Sequence, residues 1–372
     1  MRVFIDGIVF GRQIVGGISR TWEELLRRFP RHGIETDLLI PFRRKNYSLQ
    51  RILEDEDNFH VHNDFFYWPS RYFERVGVRD GVIRTFYLKR EDEIFHSTYF
   101  STVYAKGVRK VVTINDMIPE VFQDHYRTRW TQFGIDAKRK VLENADAIVA
   151  ISANTKKDLL RIYPWIPDRK ITVIHLAVST VFWTIESADT LSRYGLEKLR
   201  GGYFLFVGSG EGYKNFRILV ELVKSFPRFR DATFVCVGSR PSPSLQNMLA
   251  SLGVKDRFMF LEGISDGELG TLYANALGFI YPSQYEGFGL PVLEAMANNC
   301  PVVCSGTSSF PEVAGDAAFY FDPDSVASLS SAIEEAMKCD RKVYVQRAQT
   351  NLKRFSWDRS TSELIKLYSS IA

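Results

Sequence analysis

The chain has 372 residues, of which 45% are hydrophobic and 25% charged, and its formal net charge is +4. This size and composition are typical of two globular domains and exclude a disordered or fibrous chain. The four cysteines show neither a CxxC motif nor a Cys/His ligand spacing, so nothing indicates a metal-binding or disulfide framework.

The first half of the chain alternates short apolar runs with segments of helical period. The runs contain little polar alternation, which favours strands buried on both faces of a parallel sheet. Strands are predicted at residues 3–5, 37–40, 93–96, 110–114, 147–151 and 171–176. A helix is predicted over residues 152–161, with Ser152 as its N-cap.

Basic residues are concentrated near the N-terminus: Arg27, Arg28, Arg31, Arg43, Arg44, Lys45, Arg71, Arg75, Arg79 and Arg84. Such a face is either simply solvated or makes peripheral contact with an anionic membrane or a phosphorylated acceptor. Basic and aromatic residues do not interleave, so we expect no nucleic-acid binding. The chain starts with a strand and has no apolar stretch of 18 residues, so we expect a cytoplasmic protein, at most peripheral on the inner face of the membrane.

The second half repeats this alternation after a polar segment at residues 178–202. Strands are predicted at residues 203–207, 233–237, 258–261, 278–281, 301–304 and 318–321, and helices at 216–225, 244–251, 266–276 and 291–298. The repetition predicts an α/β protein with two Rossmann-like domains, 1–178 and 179–356, facing a central cleft. A last helix is predicted over 357–371, in a segment 357–372 that is expected to pack back toward the N-terminal domain. The cleft is the expected active site, because ligands bind beyond the carboxyl ends of such strands.

The strongest chemical signal is the motif Glu286-Gly-Phe-Gly-Leu-Pro-Val-Leu-Glu294, which follows a predicted strand. Pro291 suits the first position of a helix, because its missing N–H is not needed there. The N–H groups of Gly289 and Leu290 would then face a phosphate at the helix N-terminus.

The two glutamates of this motif would bracket that phosphate. Glu286 lies on the loop and Glu294 is expected in the first helical turn. Each carboxylate can accept hydrogen bonds from hydroxyl groups, Glu286 from a sugar and Glu294 from a ribose. The alternative is two surface glutamates around a helix cap.

Further motifs follow one another along the chain. They are Gly16-Gly-Ile-Ser-Arg20, Phe95-His-Ser-Thr-Tyr-Phe100, Thr113-Ile-Asn-Asp-Met-Ile-Pro-Glu120, Phe206-Val-Gly-Ser209, Tyr213-Lys-Asn215, Phe310-Pro-Glu-Val-Ala-Gly315 and Phe355-Ser-Trp357. Together with the glutamate motif, this series resembles the retaining glycosyltransferases of the GT-B fold, in particular glycosyltransferase family 4 (group 1). Residues 116–120 resemble the mannosyl- and rhamnosyltransferases of bacterial O-antigens and related polysaccharides.

The resemblance implies that the N-terminal domain binds the acceptor and the C-terminal domain the nucleotide-sugar donor. Lys214 would pair with the donor diphosphate, Glu286 would contact the sugar and Glu294 the ribose. Gly16 and Gly17 would let the backbone approach the phosphate, or form a plain β/α turn. The implied donor-binding residues are Gly16, Gly17, Ser209, Lys214, Arg240, Glu286, Gly287, Phe288, Gly289, Leu290 and Glu294.

The catalytic candidates are Lys214, Glu286, His96 and Asp116. His96 would face the cleft and bind the acceptor or assist its deprotonation, although a lone histidine is more often structural. Asp116, after another strand, would touch the donor sugar or the acceptor. Glu312 either supports the loop that closes on the donor or simply begins a helix.

Two positions depart from the family pattern. Relatives commonly carry His or Tyr where this chain has Asn115. They also often carry an Arg in the second phosphate loop, where this chain has Gly210 or Tyr213. Arg240, after the following strand, is the candidate to replace that positive charge.

The resulting prediction is a retaining transferase that moves a sugar, with mannose from GDP-mannose as the first choice, to a hydroxyl of a glycan or a polyprenyl-diphosphate-linked acceptor. GDP-rhamnose, another GDP-deoxysugar or a UDP-sugar are alternative donors. No cofactor or metal is expected, since no Asp-x-Asp motif stands out. A non-catalytic nucleotide-sugar-binding scaffold is the rival of another class. A dehydrogenase is disfavoured, because no GxGxxG follows the first strand.

Overall fold

The computed structural model describes the chain except residues 13–15, 42–45, 55–58, 65–93, 102–106, 124–127, 180–181, 183–188, 200–201, 211 and 239. It divides into two compact units. The first comprises Met1–Leu176 and Ser356–Ala372, and the second Ala177–Phe355. Of the basic residues near the N-terminus, Arg43, Arg44, Lys45, Arg71, Arg75, Arg79 and Arg84 lie outside the described residues.

The first unit is built on a parallel sheet of seven described strands in the order β3-β2-β1-β4-β5-β6-β7. The strands are β1 (Arg2–Ile5), β2 (Glu35–Pro41), β3 (Phe59–Asp64), β4 (Ile94–Ser97), β5 (Arg109–Ile114), β6 (Ala147–Ala150) and β7 (Ile171–Val173). The central strands β4 and β6 are buried along their whole length, as expected for a sheet covered on both faces.

The helices of the first unit include the C-terminal end of the chain. They are α1 (Ile8–Arg12), α2 (Gly17–Leu26), α3 (Tyr47–Leu53), α4 (Ile118–Val121), α5 (Arg129–Asn144), α6 (Ala153–Ile162) and α15 (Trp357–Ile371). Helix α15 buries Tyr368, and its Asp358 accepts a hydrogen bond at 2.9 Å from Arg28, just beyond the end of α2. The hydroxyl of Ser360 donates to the carbonyl of His175 at 2.6 Å.

The second unit is built on a parallel sheet of six described strands in the order β10-β9-β8-β11-β12-β13. The strands are β8 (Phe204–Val207), β9 (Phe234–Val237), β10 (Phe258–Leu261), β11 (Gly278–Tyr281), β12 (Val302–Ser305) and β13 (Ala318–Phe321). The helices are α7 (Asp189–Arg193), α8 (Arg217–Ser225), α9 (Pro243–Ser251), α10 (Asp266–Asn275), α11 (Leu290–Ala297), α12 (Phe310–Ala314), α13 (Val326–Lys338) and α14 (Arg341–Leu352).

The strand order locates the ligand-binding edge within each sheet. In the second unit β8 has β9 on one side and β11 on the other. The chain therefore leaves β8 and β11 in opposite directions, and ligands in open α/β sheets bind beyond the ends of two such strands. In the first unit β1 and β4 hold the same position. The predicted α/β class with two Rossmann-like units is confirmed.

Some elements were not anticipated from the sequence. Strand β3 was missed because its sequence Phe-His-Val-His-Asn-Asp alternates polar residues, as suits an edge strand with one exposed face. Helices α13 and α14 have no counterpart among the predicted helices; in α14 the many polar residues dilute the apolar signal.

Candidate active site

A tight turn after β8 positions Lys214. Gly208 has a φ of 143° and Gly238 a φ of 152°, and a Cβ on Gly238 would lie 2.4 Å from the Gly208 carbonyl oxygen. Only glycine allows this close approach of two strand ends. The chain then forms a 3₁₀ turn over Gly212–Lys214, which directs the lysine side chain toward the end of β11.

Lys214, Glu286 and Tyr281 form one hydrogen-bonded group. The Lys214 Nζ lies 2.6 Å from Glu286 Oε1 and 3.0 Å from the Tyr281 hydroxyl. The Tyr281 hydroxyl donates to the same Oε1 at 2.9 Å. The lysine and glutamate side chains keep 14% and 12% of their surface exposed. An ammonium group has three protons, so these two contacts do not exhaust its donors.

The charges of this group stabilise one another. Burial alone would lower the pKa of Lys214, but the adjacent Glu286 carboxylate reverses this and raises it. Burial, and then the Glu286 charge, raise the pKa of Tyr281 well above its usual value. The site therefore presents a fixed ammonium ion and a neutral phenol.

The sequence suggested Lys214 and Glu286 as ligands of two different parts of a donor. The structure brings them together, and it adds an ion pair between them that the sequence did not suggest. Tyr281 was missed as a polar member of the site. Its position as the last residue of a buried strand, five residues before Glu286, was the available signal.

Helix α11 begins one residue earlier than predicted. Leu290 is its first residue, Pro291 its second and Gly289 its N-cap, with a φ of 93°. A Cβ on Gly289 would lie 3.1 Å from the Phe310 ring, so both the backbone conformation and the packing require glycine. Among the described residues no acceptor is found for the N–H groups of Gly289 and Leu290.

Glu294 is not in the first turn, contrary to the prediction. Because α11 starts at Leu290, Glu294 is its fifth residue and lies in the second turn. Its side chain is largely buried, and Oε2 accepts a hydrogen bond from the Tyr273 hydroxyl at 3.3 Å. Glu294 is therefore a buried, oriented carboxylate rather than a surface group.

Three hydroxyl groups after β12 hold the loop that carries Glu286. Thr307 Oγ1 donates to the Gln284 carbonyl at 3.1 Å, and Ser309 Oγ donates to the carbonyls of Glu286 and Phe288, both at 2.9 Å. Ser308 bonds to the backbone of Glu286 as well. These three residues are not among the predicted site residues. A run of three hydroxyl residues just beyond a buried strand was the signal.

The remaining predicted donor residues have different surroundings. Ser209 lies exposed in the turn after β8. The Tyr213 ring lies under the Lys214 ammonium, with 5.2 Å between Nζ and the ring centroid, and its carbonyl accepts from the Gln284 N–H at 2.7 Å. This last bond joins the loops after β8 and β11. Gly287 and Phe288 continue the Glu286 loop, and Phe355 packs edge-on against Phe288.

Arg240 is paired with Glu262 and is not part of the group formed by Lys214, Glu286 and Tyr281; its role as a replacement for the missing positive charge remains a prediction. Its side chain is 82% exposed and forms a surface ion pair with Glu262 at 2.9 Å. Glu312, in the short helix α12, is half-buried, and its carbonyl accepts from Arg354 Nη2 at 2.9 Å. This contact ties α12 to the segment that follows α14.

In the first unit, the prediction that His96 faces a ligand is wrong. The side chain is completely buried. Its Nδ1 lies 2.6 Å from the Tyr368 hydroxyl and its Nε2 2.9 Å from Thr113 Oγ1, and the Trp22 ring packs edge-on against it. Burial lowers the pKa of His96 to about 3, so the imidazole is neutral and both nitrogens are occupied.

Asp116 follows β5, as predicted, and lies just before the short helix α4. Its Oδ1 accepts from the Ile118 N–H at 3.1 Å, and its carbonyl accepts from Lys138 Nζ at 3.0 Å. Lys138 in turn forms a buried ion pair with Glu120 at 2.8 Å. Asn115 precedes it, half-buried.

Gly16 and Gly17 lie at the start of α2. Gly16 is its N-cap and Gly17 its first residue, and residues 13–15 just before them lie outside the described chain. Their contact with a phosphate remains a prediction.

Two further features concern the described residues as a whole. No group of three or more His, Cys, Asp or Glu side chains among them is arranged to hold a metal ion; metal independence remains a prediction. None of the helices formed by these residues combines the length and apolar character needed to cross a membrane.

Comparison with known proteins agrees with this architecture. Residues 190–353 match the family model of glycosyl transferases group 1, and residues 15–182 match that of glycosyltransferase family 4. Anabaena HepE, solved in complex with UDP and glucose, covers 99% of this chain and 99% of its own, with a TM-score of 0.73 at 15% identity. The molecule is thus a glycosyltransferase of the GT-B fold.

Two curated relatives show which glycosyltransferases the chain resembles in sequence. The O-antigen chain mannosyltransferase B of Escherichia coli is 30% identical over 75% of this chain and 74% of its own. The O-antigen chain mannosyltransferase RfbU of Salmonella typhimurium is 31% identical over 60% of this chain and 60% of its own. This chain therefore covers less than two thirds of RfbU. The chain belongs to the group 1 glycosyltransferases, family 4, as its motifs indicated.

Proposed function

We propose that the protein is a retaining mannosyltransferase that moves mannose from GDP-mannose to a hydroxyl of a glycan or of a polyprenyl-diphosphate-linked oligosaccharide. The names of the two O-antigen mannosyltransferases support the choice of sugar. The product would be an intermediate of a cell-surface polysaccharide.

The observation that carries this proposal is the position of Lys214 near the start of α11. Negative charge develops on the diphosphate as the sugar leaves. The Lys214 ammonium and the N–H groups of Gly289 and Leu290 can stabilise that charge, because they are positive or dipolar groups fixed before the reaction. Their contribution is greatest in the transition state, so they would raise the turnover rate.

The two glutamates are better suited to holding hydroxyl groups than to attacking the sugar. Glu286 already accepts hydrogen bonds from Lys214 and Tyr281, which lowers its nucleophilicity. Glu294 is buried in α11. We propose that Glu286 binds the sugar and Glu294 the ribose. Retention would then follow from front-face attack, with the leaving phosphate accepting the acceptor's proton.

The alternatives to GDP-mannose differ from it in the base or in the sugar. HepE was solved with UDP and glucose, so a UDP-sugar is an alternative, as are GDP-rhamnose and other GDP-deoxysugars. A non-catalytic nucleotide-sugar-binding subunit is the second class of function. The presence of Lys214 together with both glutamates argues against this second class.

A thermal-shift panel tests the donor. A ligand present at about 100 times its dissociation constant stabilises the folded state by about 2.7 kcal/mol. We expect GDP-mannose to raise the Tm more than UDP-glucose does. A larger shift with a UDP-sugar would replace the donor assignment.

A transfer assay tests the reaction. Incubation of GDP-mannose with lipid-linked acceptors should yield a mannoside whose anomeric configuration by NMR is that of the donor. Inversion would exclude the retaining mechanism, and nucleotide binding without transfer or donor hydrolysis would favour the scaffold. EDTA should leave the rate unchanged if no metal takes part.

We also propose peripheral contact with an anionic membrane through the basic residues of the first unit. Arg28, one of these residues, already forms ion pairs with Glu24 and Asp358. The membrane contact would therefore depend on other arginines, for example Arg31. Sedimentation with phosphatidylglycerol vesicles tests this. Binding that does not weaken as salt rises would contradict an electrostatic contact.

A further inference from the structure

Ser308 bonds to both main-chain polar groups of Glu286. Its Oγ accepts from the Glu286 N–H at 3.1 Å and donates to the Glu286 carbonyl at 2.7 Å. One hydroxyl therefore satisfies the donor and the acceptor of a single residue 22 positions earlier in the chain. The two bonds hold the peptide groups on both sides of the Glu286 Cα.

The backbone of Ser308 is strained to make these contacts. Its φ is 57°, in the left-handed region that residues with a Cβ adopt at a cost. Glycine would adopt this conformation without strain, but it has no hydroxyl to offer. A strained serine in place of glycine indicates that the hydroxyl itself matters.

The carboxylate end of Glu286 is held separately. Lys214 and Tyr281 both donate to Oε1. Among the described residues none donates to Oε2. Glu286 is therefore fixed at its backbone and at one carboxylate oxygen, and it presents the other oxygen to a ligand.

We propose that Ser308 is a positioning residue of the donor site, which holds the Glu286 backbone so that Oε2 meets a hydroxyl of the donor sugar. This inference rests on the proposed function. Ser308 itself does not touch the substrate. Because small displacements of a positioned group are costly to the reaction rate, loss of the hydroxyl should lower turnover and leave binding of the nucleotide part unchanged.

The test compares Ser308→Gly with the wild type. Glycine removes the hydroxyl and relieves the strain, so this variant should fold at least as well as wild type. We expect kcat with GDP-mannose to fall about tenfold, with the Kd for free GDP within about twofold. Amide hydrogen exchange in a peptide covering residues 284–288 should become faster, because the Glu286 N–H loses its acceptor.

Asn299→Gly is the matched control. Asn299 also has a positive φ, 56°, but it follows the opposite end of α11 from Glu286. The kcat of Asn299→Gly and its amide hydrogen exchange at residues 284–288 should match those of the wild type. Ser308→Ala should lower kcat as Ser308→Gly does, while being less stable, because alanine keeps the strain.

The proposal requires that Ser308→Gly lower kcat and also speed up amide hydrogen exchange at residues 284–288. A wild-type value of either one overturns the positioning role. If the wild-type protein transfers sugar from none of the donors in the panel, the proposed function fails instead. Exchange at residues 284–288 then still decides whether Ser308 holds the Glu286 backbone.

Discussion

The two units place polar side chains at or beyond the ends of corresponding strands, and the surroundings of those side chains differ. In the first unit Asp6 follows β1 and His96 lies in the adjacent β4, and both are completely buried. In the second unit Lys214 follows β8 and Glu286 follows the adjacent β11, with 14% and 12% of their side chains exposed.

The first cluster is saturated by its own protein partners. Asp6 accepts hydrogen bonds from the N–H groups of Ile8 and Thr98 and from the hydroxyls of Ser97, Thr98 and Ser101. Both nitrogens of His96 are also bonded. These groups tie loops to the sheet, as buried polar networks commonly do.

The second cluster keeps bonding capacity for a ligand. Oε2 of Glu286 and the N–H groups of Gly289 and Leu290 have no partner among the described residues. A polar residue beyond a strand is therefore not sufficient evidence of a binding site. The distinction lies in whether folding has already used its donors and acceptors, and four predictions test it.

The largest effect is expected from Lys214→Ala. It removes a charge-assisted contact with the leaving diphosphate, worth roughly 1.5–3 kcal/mol, so kcat/KM should fall by about 10- to 100-fold. The control is Lys224→Ala, which alters an exposed lysine in the last turn of α8. Activity of Lys214→Ala within twofold of wild type would remove Lys214 from the reaction.

The next largest effect distinguishes the roles of Glu286 and Glu294. Glu286→Gln should lower kcat by about tenfold with little change in GDP affinity, because it alters a contact with the sugar. Glu294→Gln should instead weaken GDP binding by a similar factor, through the ribose, since hydrogen bonds to a charged group contribute roughly 1.5–3 kcal/mol. Calorimetry with GDP and steady-state kinetics measure both. The opposite pattern would exchange the two roles.

A smaller effect is expected from Tyr281→Phe. This change removes the hydroxyl shared by Lys214 and Glu286 and keeps the ring, which packs on Phe310. One hydrogen bond contributes about 0.5–1.5 kcal/mol, so kcat/KM should fall between about two- and tenfold. Tyr203→Phe removes a comparable buried hydroxyl, bonded to the Leu272 carbonyl, away from the site. Equal losses in both variants would mean that only stability was affected.

The smallest effect concerns His96 and the pH dependence of stability. Its pKa is lowered from 6.5 to about 3 by burial, so below pH 6.5 the unfolded chain binds a proton that the folded protein does not. The contribution of the neutral His96 to the free energy of unfolding is fully present above pH 6.5 and is lost as the pH falls toward 3. Between pH 7.5 and 5.5 the loss is about 1 kcal/mol.

His96→Gln tests this assignment. Urea unfolding at the two pH values should show a smaller pH dependence in the variant than in wild type, while sugar transfer at pH 7.5 stays within about threefold. In wild type, an NMR titration of the imidazole should show a neutral ring at pH 5. A ring that titrates near pH 6.5, or a loss of transfer comparable to that of Lys214→Ala, would restore the catalytic role of His96.

Much of the framework could be predicted from local sequence. Strands β10, β11 and β13 and helix α15 have the predicted bounds, because an uninterrupted apolar run or a regular helical period is a local property of the chain. The turn before α11 was also predictable, since its glycines and Pro291 lie within a few residues of one another. These features indicated the family and the general position of the donor site.

Only the tertiary structure decided whether each polar group is buried and hydrogen-bonded or remains available to a ligand. His96 is enclosed by Tyr368, which lies 272 residues away. Glu286 is paired with Lys214 across 72 residues and held by Ser308 across 22. Burial and hydrogen bonding depend on which distant segments pack together, and a residue's identity and local spacing do not contain that information. The sequence by itself determined which residues stand at the strand ends, and packing determined which of them remain available to a ligand.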